Sequence, residues 1–325
     1  MNFPLSVLDL AWVTQGHSAA ETFEHSAALT QEVEKLGYTR YWLAEHHNME
    51  GVASTATSVL IGYIASRTKS IRVGSGGIML PNHAPLIVAE QFGTLATLYP
   101  DRIDLGLGRA PGTDALTAHA LRRDQAAVMD FEGNIRELQR YFSEDNKNAS
   151  VRAIPAEGAN IPIWVLGSSI DSAYLAAAMG LPYAFAAHFA PAQLSEALRI
   201  CRENFQPKNG SKPKTIVCVN VICADDDHSA SILATSFKKL FLGIITGKRS
   251  KLAPPVDDPD FMDPLEEAAL LQMTRYSFVG GPEKVQKELR EFIRLTQADE
   301  LMVSTPVYDP AARTKSYQLL RGLDL

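Results

Sequence analysis

Residues 71–113, IRVGSGGIMLPNHAPLIVAEQFGTLATLYPDRIDLGLGRAPGT, constrain the fold more than any other stretch. Two β-branched or apolar runs, 71–80 and 103–107, flank a helical pattern over 85–98. Strand, amphipathic helix and strand in that order form a βαβ unit, and both strands end in glycine-rich loops rather than hairpin turns. Ser75-Gly76-Gly77 interrupts the first run. Paired glycines inside a strand mark a bulge, an unusual peptide or close approach of another molecule. The second run ends in Gly106-Leu107-Gly108-Arg109-Ala110-Pro111-Gly112. One guanidinium on a flexible strand tip is a candidate anion clamp, or else an arginine paired with a neighbouring carboxylate.

The same alternation continues along the chain. Strand-like runs lie at 4–10, 41–44, 71–80, 103–107, 161–166, 182–187, 215–224 and 300–304. Helical patterns lie at 18–36, 55–66, 85–98, 131–142, 191–205, 229–241, 265–273 and 282–295, with a short helix ending at Met179. Residues 113–130 read as broken helix, and 143–160 as polar with no clear element. The stretch 243–263, with Pro254-Pro255 and Asp257-Asp258-Pro259-Asp260, is too long for an ordinary connection and reads as an insertion or lid. Eight strand–helix steps without a linker or internal repeat predict one α/β domain over 1–325, a (β/α)8 TIM barrel with its catalytic loops on one face. A doubly wound nucleotide-binding sheet would show GxGxxG directly after its first strand. That strand is followed by Ala11-Trp12-Val13-Thr14, and Pro111 stands where the third glycine of the 106–112 loop belongs, so the barrel is preferred.

Composition narrows the function. A net charge of −6 opposes a nucleic-acid-binding surface, because phosphate neutralisation needs a basic stripe. The one basic cluster, Lys248-Arg249-Ser250-Lys251, reads as a solvated loop. Cys201, Cys218 and Cys223 form neither an even set nor a CxxC pair, so they read as small buried hydrophobes; Cys218 and Cys223 should face opposite sides of their strand. The N-terminus lacks a basic segment followed by a long apolar core, and no run of about 18 apolar residues occurs. The expectation is a cytoplasmic enzyme or binding protein, away from membranes.

Chemistry-bearing residues gather at the strand tips. Glu45-His46-His47-Asn48 follows the second strand. A metal site there would need further ligands, with Asp9, His83 and His188 available. His46 as an acid/base group is the favoured alternative, since imidazole titrates near neutrality, and a core histidine bonded to Glu45 or backbone is the bland one. Gly167-Ser168-Ser169 ahead of a helix is a candidate phosphate nest, or a plain N-cap by Ser169 or Asp171. His188-Phe189, just past the sixth strand, either lines a pocket or closes the barrel.

The segments WLAEHHN at 42–48, VGSGGIMLPNHAPLIVAEQFGTLATLYPDRIDLGLGRAPG at 73–112, PIWVLGSS at 162–169, GLPYAFAAHFAP at 180–191 and FVGGPEKVQKEL at 278–289 together resemble the bacterial luciferase-like, flavin-dependent monooxygenases. The likeness is to their small non-luminescent branch and covers almost the whole chain. It implies FMN across the C-terminal mouth of the barrel, with His46 at the family's active-site histidine beside the isoalloxazine. Arg109 and the amides around Ser168 and Ser169 take the place of the phosphate-binding groups, and His188 lines the cofactor pocket. Gly76-Gly77 falls where the family often has a non-proline cis peptide. Gly108 and Ser168 replace a reactive cysteine and an acidic residue of the light-emitting enzymes, which counts against luminescence. The implied reaction uses reduced flavin and O2 to oxidise a small organic substrate, without a metal. A separate NAD(P)H-dependent flavin reductase supplies the reduced FMN, and the enzyme is expected to be a homodimer. The alternatives are an F420- or NAD(P)H-linked oxidoreductase on the same barrel and a flavin-binding protein without turnover.

Overall fold

The computed structural model describes residues 3–123, 128–208, 210–258 and 262–325. Its strands are β1 (Leu5–Asp9), β2 (Arg40–Leu43), β3 (Arg72–Met79), β4 (Ile103–Gly108), β5 (Ile163–Gly167), β6 (Tyr183–Phe185), β7 (Thr215–Cys223), β8 (Ser277–Gly280) and β9 (Glu300–Ser304). Neighbouring strands are parallel, and β1 to β7 followed by β9 close on β1 to form an eight-stranded barrel. The helices used below are α1 (Ala19–Lys35), α2 (Thr57–Arg67), α3 (Pro85–Leu98), α4 (Ala115–Ala120), α5 (Phe131–Phe142), α6 (Ile170–Met179), α7 (Leu194–Glu203), α8 (Asp227–Ile245), α9 (Pro264–Met273), α10 (Pro282–Thr296) and α11 (Pro310–Arg321). The (β/α)8 architecture expected from the sequence is the one observed. Among the described residues no helix is long and apolar enough to cross a membrane.

The period of two along each strand sorts side chains between two cores. Leu8, Trp42, Trp164, Ala184, Ile216, Cys218 and Met302 fill the barrel interior. Val7, Tyr41, Val73, Leu105, Val165 and Val217 pack outward under the helices. Cys218 and Cys223 fall in the inner and outer cores, and all three cysteines are free and buried. The N-terminal end of the barrel is closed by charge. Arg40 holds Glu300 through two nitrogens at 2.7 and 3.1 Å and Asp104 at 2.7 Å, and Arg72 reaches Asp104 at 2.6 Å. Nothing in the local sequence announces this network, whose members lie on four strands.

The glycines of β3 and β4 are required by contact. The pairing register shifts between Ser75 and Ile78, and the Gly76–Gly77 peptide is cis, as the resemblance implies. A Cβ on Gly106 would sit 2.2 Å from the Ser75 carbonyl oxygen, and one on Gly77 would sit 2.7 Å from that of Gly106.

Four expectations need correction. The strand β8, absent from the sequence reading, pairs with residues 220–223 at the C-terminal end of β7, outside the closed ring. A final helix, α11, follows β9. The α8 helix runs to Ile245, beyond the expected end at 241, so it supplies the first turn of the supposed insertion. Within 143–160 the backbone makes two short 3-10 turns, Glu144–Asn148 and Ile154–Ala156. Part of the broken helix expected at 113–130 and part of 243–263 lie outside the described residues.

Candidate active site

Parallel strands direct all their C-terminal ends to one mouth, and the residues singled out by sequence lie in or just past five consecutive strands. His46 follows β2, Gly76-Gly77 lies in β3, Arg109 follows β4, Ser168 and Ser169 follow β5, and His188 follows β6. At the mouth is a chamber of about 250 Å³. His46, His188 and Phe189 line it, with Trp12 from the loop after β1 and Leu240, Phe241 and Ile244 from α8. Ala11, just before Trp12, adopts a left-handed φ of 51° and donates its amide to the Asp9 carboxylate at 2.9 Å.

Glu45 organises the β2 tip. It is 1% exposed and accepts from His47 Nε2 at 2.9 Å, His83 Nε2 at 3.0 Å, Asn82 Nδ2 at 3.2 Å and the Met79 amide at 3.0 Å. Burial alone would raise its pKa, but the bonds from His47, His83 and Met79 outweigh it and bring the carboxyl down to about 2. The adjacent imidazoles diverge as the strand geometry requires: His47 turns to Glu45 while His46 lines the chamber.

Burial lowers the pKa of His46, with Arg249 adding to the effect and the Gly112 contact opposing it. His46 Nδ1 lies 3.3 Å from the Gly112 carbonyl oxygen. A carbonyl only accepts, so the neutral ring carries its proton on Nδ1 and keeps Nε2 as an acceptor. Burial, and then His46 nearby, pushes His188 down to about 3. Both imidazoles are therefore neutral at pH 7. The buried Nδ1 of His188 and Nε1 of Trp12 have no hydrogen-bond partner among the described residues.

Arg109 and the start of α6 meet at a second pocket of about 170 Å³, which Phe131, Leu166, Asp171 and Ser172 also line. The β4 and β5 strands pair directly, as expected. Arg109 is exposed, and its carbonyl oxygen accepts from Arg123 Nη2 at 2.6 Å. Ser169 caps α6, accepting from the Ser172 amide at 3.5 Å, so the plain N-cap reading is realised. Glu132 and Asp171 on this pocket oppose an anion, whereas Arg109 and the helix start favour one.

The candidate metal ligands do not converge. His47 and His83 bond Glu45, while Asp9 faces away onto Ser26, Tyr41 and Arg313. Among the described residues no three His, Cys, Asp or Glu side chains are placed to share an ion. Sequence reasoning missed three features of the mouth: Trp12, the α8 wall and Arg249. The cluster 248–251, read as a solvated loop, is exposed at Lys248, Arg249 and Ser250, yet Arg249 and Ser250 line the chamber.

The comparisons with known proteins agree with this fold. The family model described as luciferase-like monooxygenase matches residues 3–299. The chain is 50% identical to a luciferase-like monooxygenase of Escherichia coli (strain K12) over 97% of its own length and 95% of that protein's. It is 31% identical to the N-acetyl-S-alkylcysteine monooxygenase of Bacillus subtilis (strain 168), covering 97% and 96%. The crystal structure of apo-MsnO8 superposes with a TM-score of 0.90 at 36% identity, over 98% of this chain and 97% of that one. The fold alone is shared, at 19% identity and a TM-score of 0.76, with the oxygenating constituent of 3,6-diketocamphane monooxygenase from Pseudomonas putida in complex with FMN, over 100% and 98% of the two chains. It is also shared with an F420-dependent secondary alcohol dehydrogenase at 15% identity and a TM-score of 0.68, over 98% of each. This chain belongs to the luciferase-like monooxygenase family.

Proposed function

We propose that the chain is an FMN-dependent monooxygenase that uses reduced flavin and O2 to oxidise a small organic substrate. The observation that carries this reading is an apolar chamber at the barrel mouth, faced by two neutral histidines, on the same run of strand tips that presents Arg109. The residues fit the cofactor. His188 Nδ1 and Trp12 Nε1 lack partners among the described residues and suit the edge of a polar heterocycle. Arg109 and the amides around Ser168 and Ser169 would hold the phosphate, the guanidinium by charge and the helix start by the positive end of its dipole, although the Ile170 and Ser172 amides already donate to Gln193 Oε1 and Ser169 Oγ. The FMN complex of the diketocamphane enzyme supports the choice of FMN at the level of the fold.

Bound reduced FMN supplies the electrons that activate O2. The chain's own part is to hold, shield and move protons. Leu10, Val52, Leu240 and Phe241 keep water from the reacting atoms. His46 accepts a proton at Nε2, and the Gly112 carbonyl fixes the tautomer that leaves this nitrogen free. Glu45, next to His46 in the chain, ties the loop after β2 to the loop after β3 through His47 and His83. Reduced FMN comes from a separate NAD(P)H-dependent flavin reductase, since no dinucleotide fingerprint follows β1. We read the chain as a homodimer through Val59, Ile87 and Leu98, exposed apolar residues of the neighbouring helices α2 and α3. Light scattering giving the monomer mass would refute that assembly.

Titration of the purified protein with FMN, riboflavin and F420 tests the cofactor. Tighter binding of FMN than riboflavin is expected, followed by O2-dependent product formation when an external reductase supplies reduced FMN. Tight F420 binding with none for FMN overturns the reading. FMN binding without any oxidised product from a substrate panel makes the protein a flavin carrier.

A further inference from the structure

We propose that Arg249 is the substrate anchor of the chamber, and that the substrate is a small amphipathic molecule pairing an apolar body with a carboxylate or comparable anion. This rests on the monooxygenase reading and specifies the substrate class for the same site. The chamber's body is apolar, with Leu10, Met49, Phe189, Leu240, Phe241 and Met273 on its walls. Its two histidines are neutral at pH 7, so among the described residues Arg249 is the one lining residue that carries a formal charge. Among the described residues the Arg249 guanidinium has no carboxylate partner; its one bond is to the Met49 sulfur at 3.7 Å, a weak acceptor.

The segment that carries Arg249 is fixed to the barrel. Leu252, 1% exposed, donates its amide to Val13 O at 2.9 Å and accepts from the Gln15 amide at 2.9 Å. Gly51 abuts it so closely that a Cβ there would lie 2.4 Å from the Ser250 carbonyl oxygen. Val256 donates to Thr235 Oγ1 on α8 at 2.9 Å. A cation held over the mouth of an uncharged, apolar chamber favours a ligand with an anionic end at the rim and a hydrocarbon or thioether body inside. A guanidinium pairs such an end through two parallel N–H donors.

The test uses nonanoate and its neutral isostere nonanamide, measured by calorimetry against the wild type, Arg249→Gln and Arg249→Glu, with and without saturating FMN. The wild type is expected to bind nonanoate roughly ten- to a hundredfold more tightly than the amide, the range of one charge-assisted contact. Arg249→Gln abolishes that preference while leaving amide binding and FMN affinity unchanged, and Arg249→Glu favours nonylamine. Equal wild-type affinity for acid and amide overturns the proposal. So does an Arg249→Gln variant that loses affinity for FMN but not for riboflavin, since Arg249 would then serve the cofactor phosphate. Absence of FMN binding by all three proteins removes the flavin reading, yet the acid-to-amide ratio still decides the role of Arg249.

Discussion

At the residue scale, the proposed function gives His46 the proton and Arg109 the cofactor phosphate, so their replacements should fail differently. His46→Asn should lower turnover by about 10²-fold or more, the usual share of a general acid or base, while FMN affinity changes less than about threefold. Steady-state kinetics beside a flavin titration separates the two, and an equal loss in both would reassign His46 to binding. Arg109→Ala should cost FMN roughly 1.5–3 kcal/mol and leave riboflavin affinity untouched. His46 stands out in the sequence because an imidazole at the tip of a barrel strand has few structural reasons to be there, and it lines the chamber. Glu45 was legible only as a neighbour. Its partner His83 lies 38 residues away, a contact no local pattern encodes. Arg249 was misread because a basic tetrapeptide in a long connection looks like any solvated loop, and only Leu252, docked on the strand exit at Val13, brings it to the mouth.

At the element scale, the strands were readable where the period was long and the end was marked. The α3 and α5 helices occupy the expected 85–98 and 131–142, each an amphipathic run with a clear stop. The β8 strand was not readable: four residues with alternating burial, wedged between α9 and α10, offer no run long enough to compete with the helical signals beside it. The α11 helix was missed although a barrel needs a helix over its last strand. It is held by contacts distant in sequence: Tyr38 Oη donates to Tyr317 O at 2.8 Å, and Arg313 Nη2 meets Asp9 Oδ1 at 2.8 Å. Because Asp9 is fully buried, Arg313→Ala leaves an uncompensated charge and should destabilise the fold by about 3–5 kcal/mol in chemical denaturation. A milder loss is expected from Ser169→Ala. Removing the α6 cap should cost about 0.5–2 kcal/mol, visible as a shifted denaturation midpoint.

At the scale of the whole molecule, the mouth makes the fold acid-sensitive. The folded His188 refuses a proton until about pH 3, whereas the unfolded chain takes one near its ordinary 6.5. Stability is therefore complete above 6.5 and falls as pH drops through that window, by roughly 1.4 kcal/mol per unit. Glu45 acts in the same direction further down: held near 2 when folded, its contribution is present above 4.5 and lost as pH falls toward 2. Denaturation midpoints from pH 8 to 4 should decline, and His188→Asn should flatten the slope between 6.5 and 4. An unchanged slope in that variant would mean His188 titrates normally. The closed barrel itself was legible because eight strand–helix steps admit few other architectures, while the charged floor joining Arg40, Glu300, Asp104 and Arg72 was not, since it exists only once the ring has closed.

Diffraction from crystals soaked with FMN tests the central claim most directly. The account predicts the ring in the chamber within hydrogen-bond reach of His46 or His188, and the phosphate against Arg109 and the start of α6. Density for FMN at another site, or its phosphate turned away from Arg109, would contradict it.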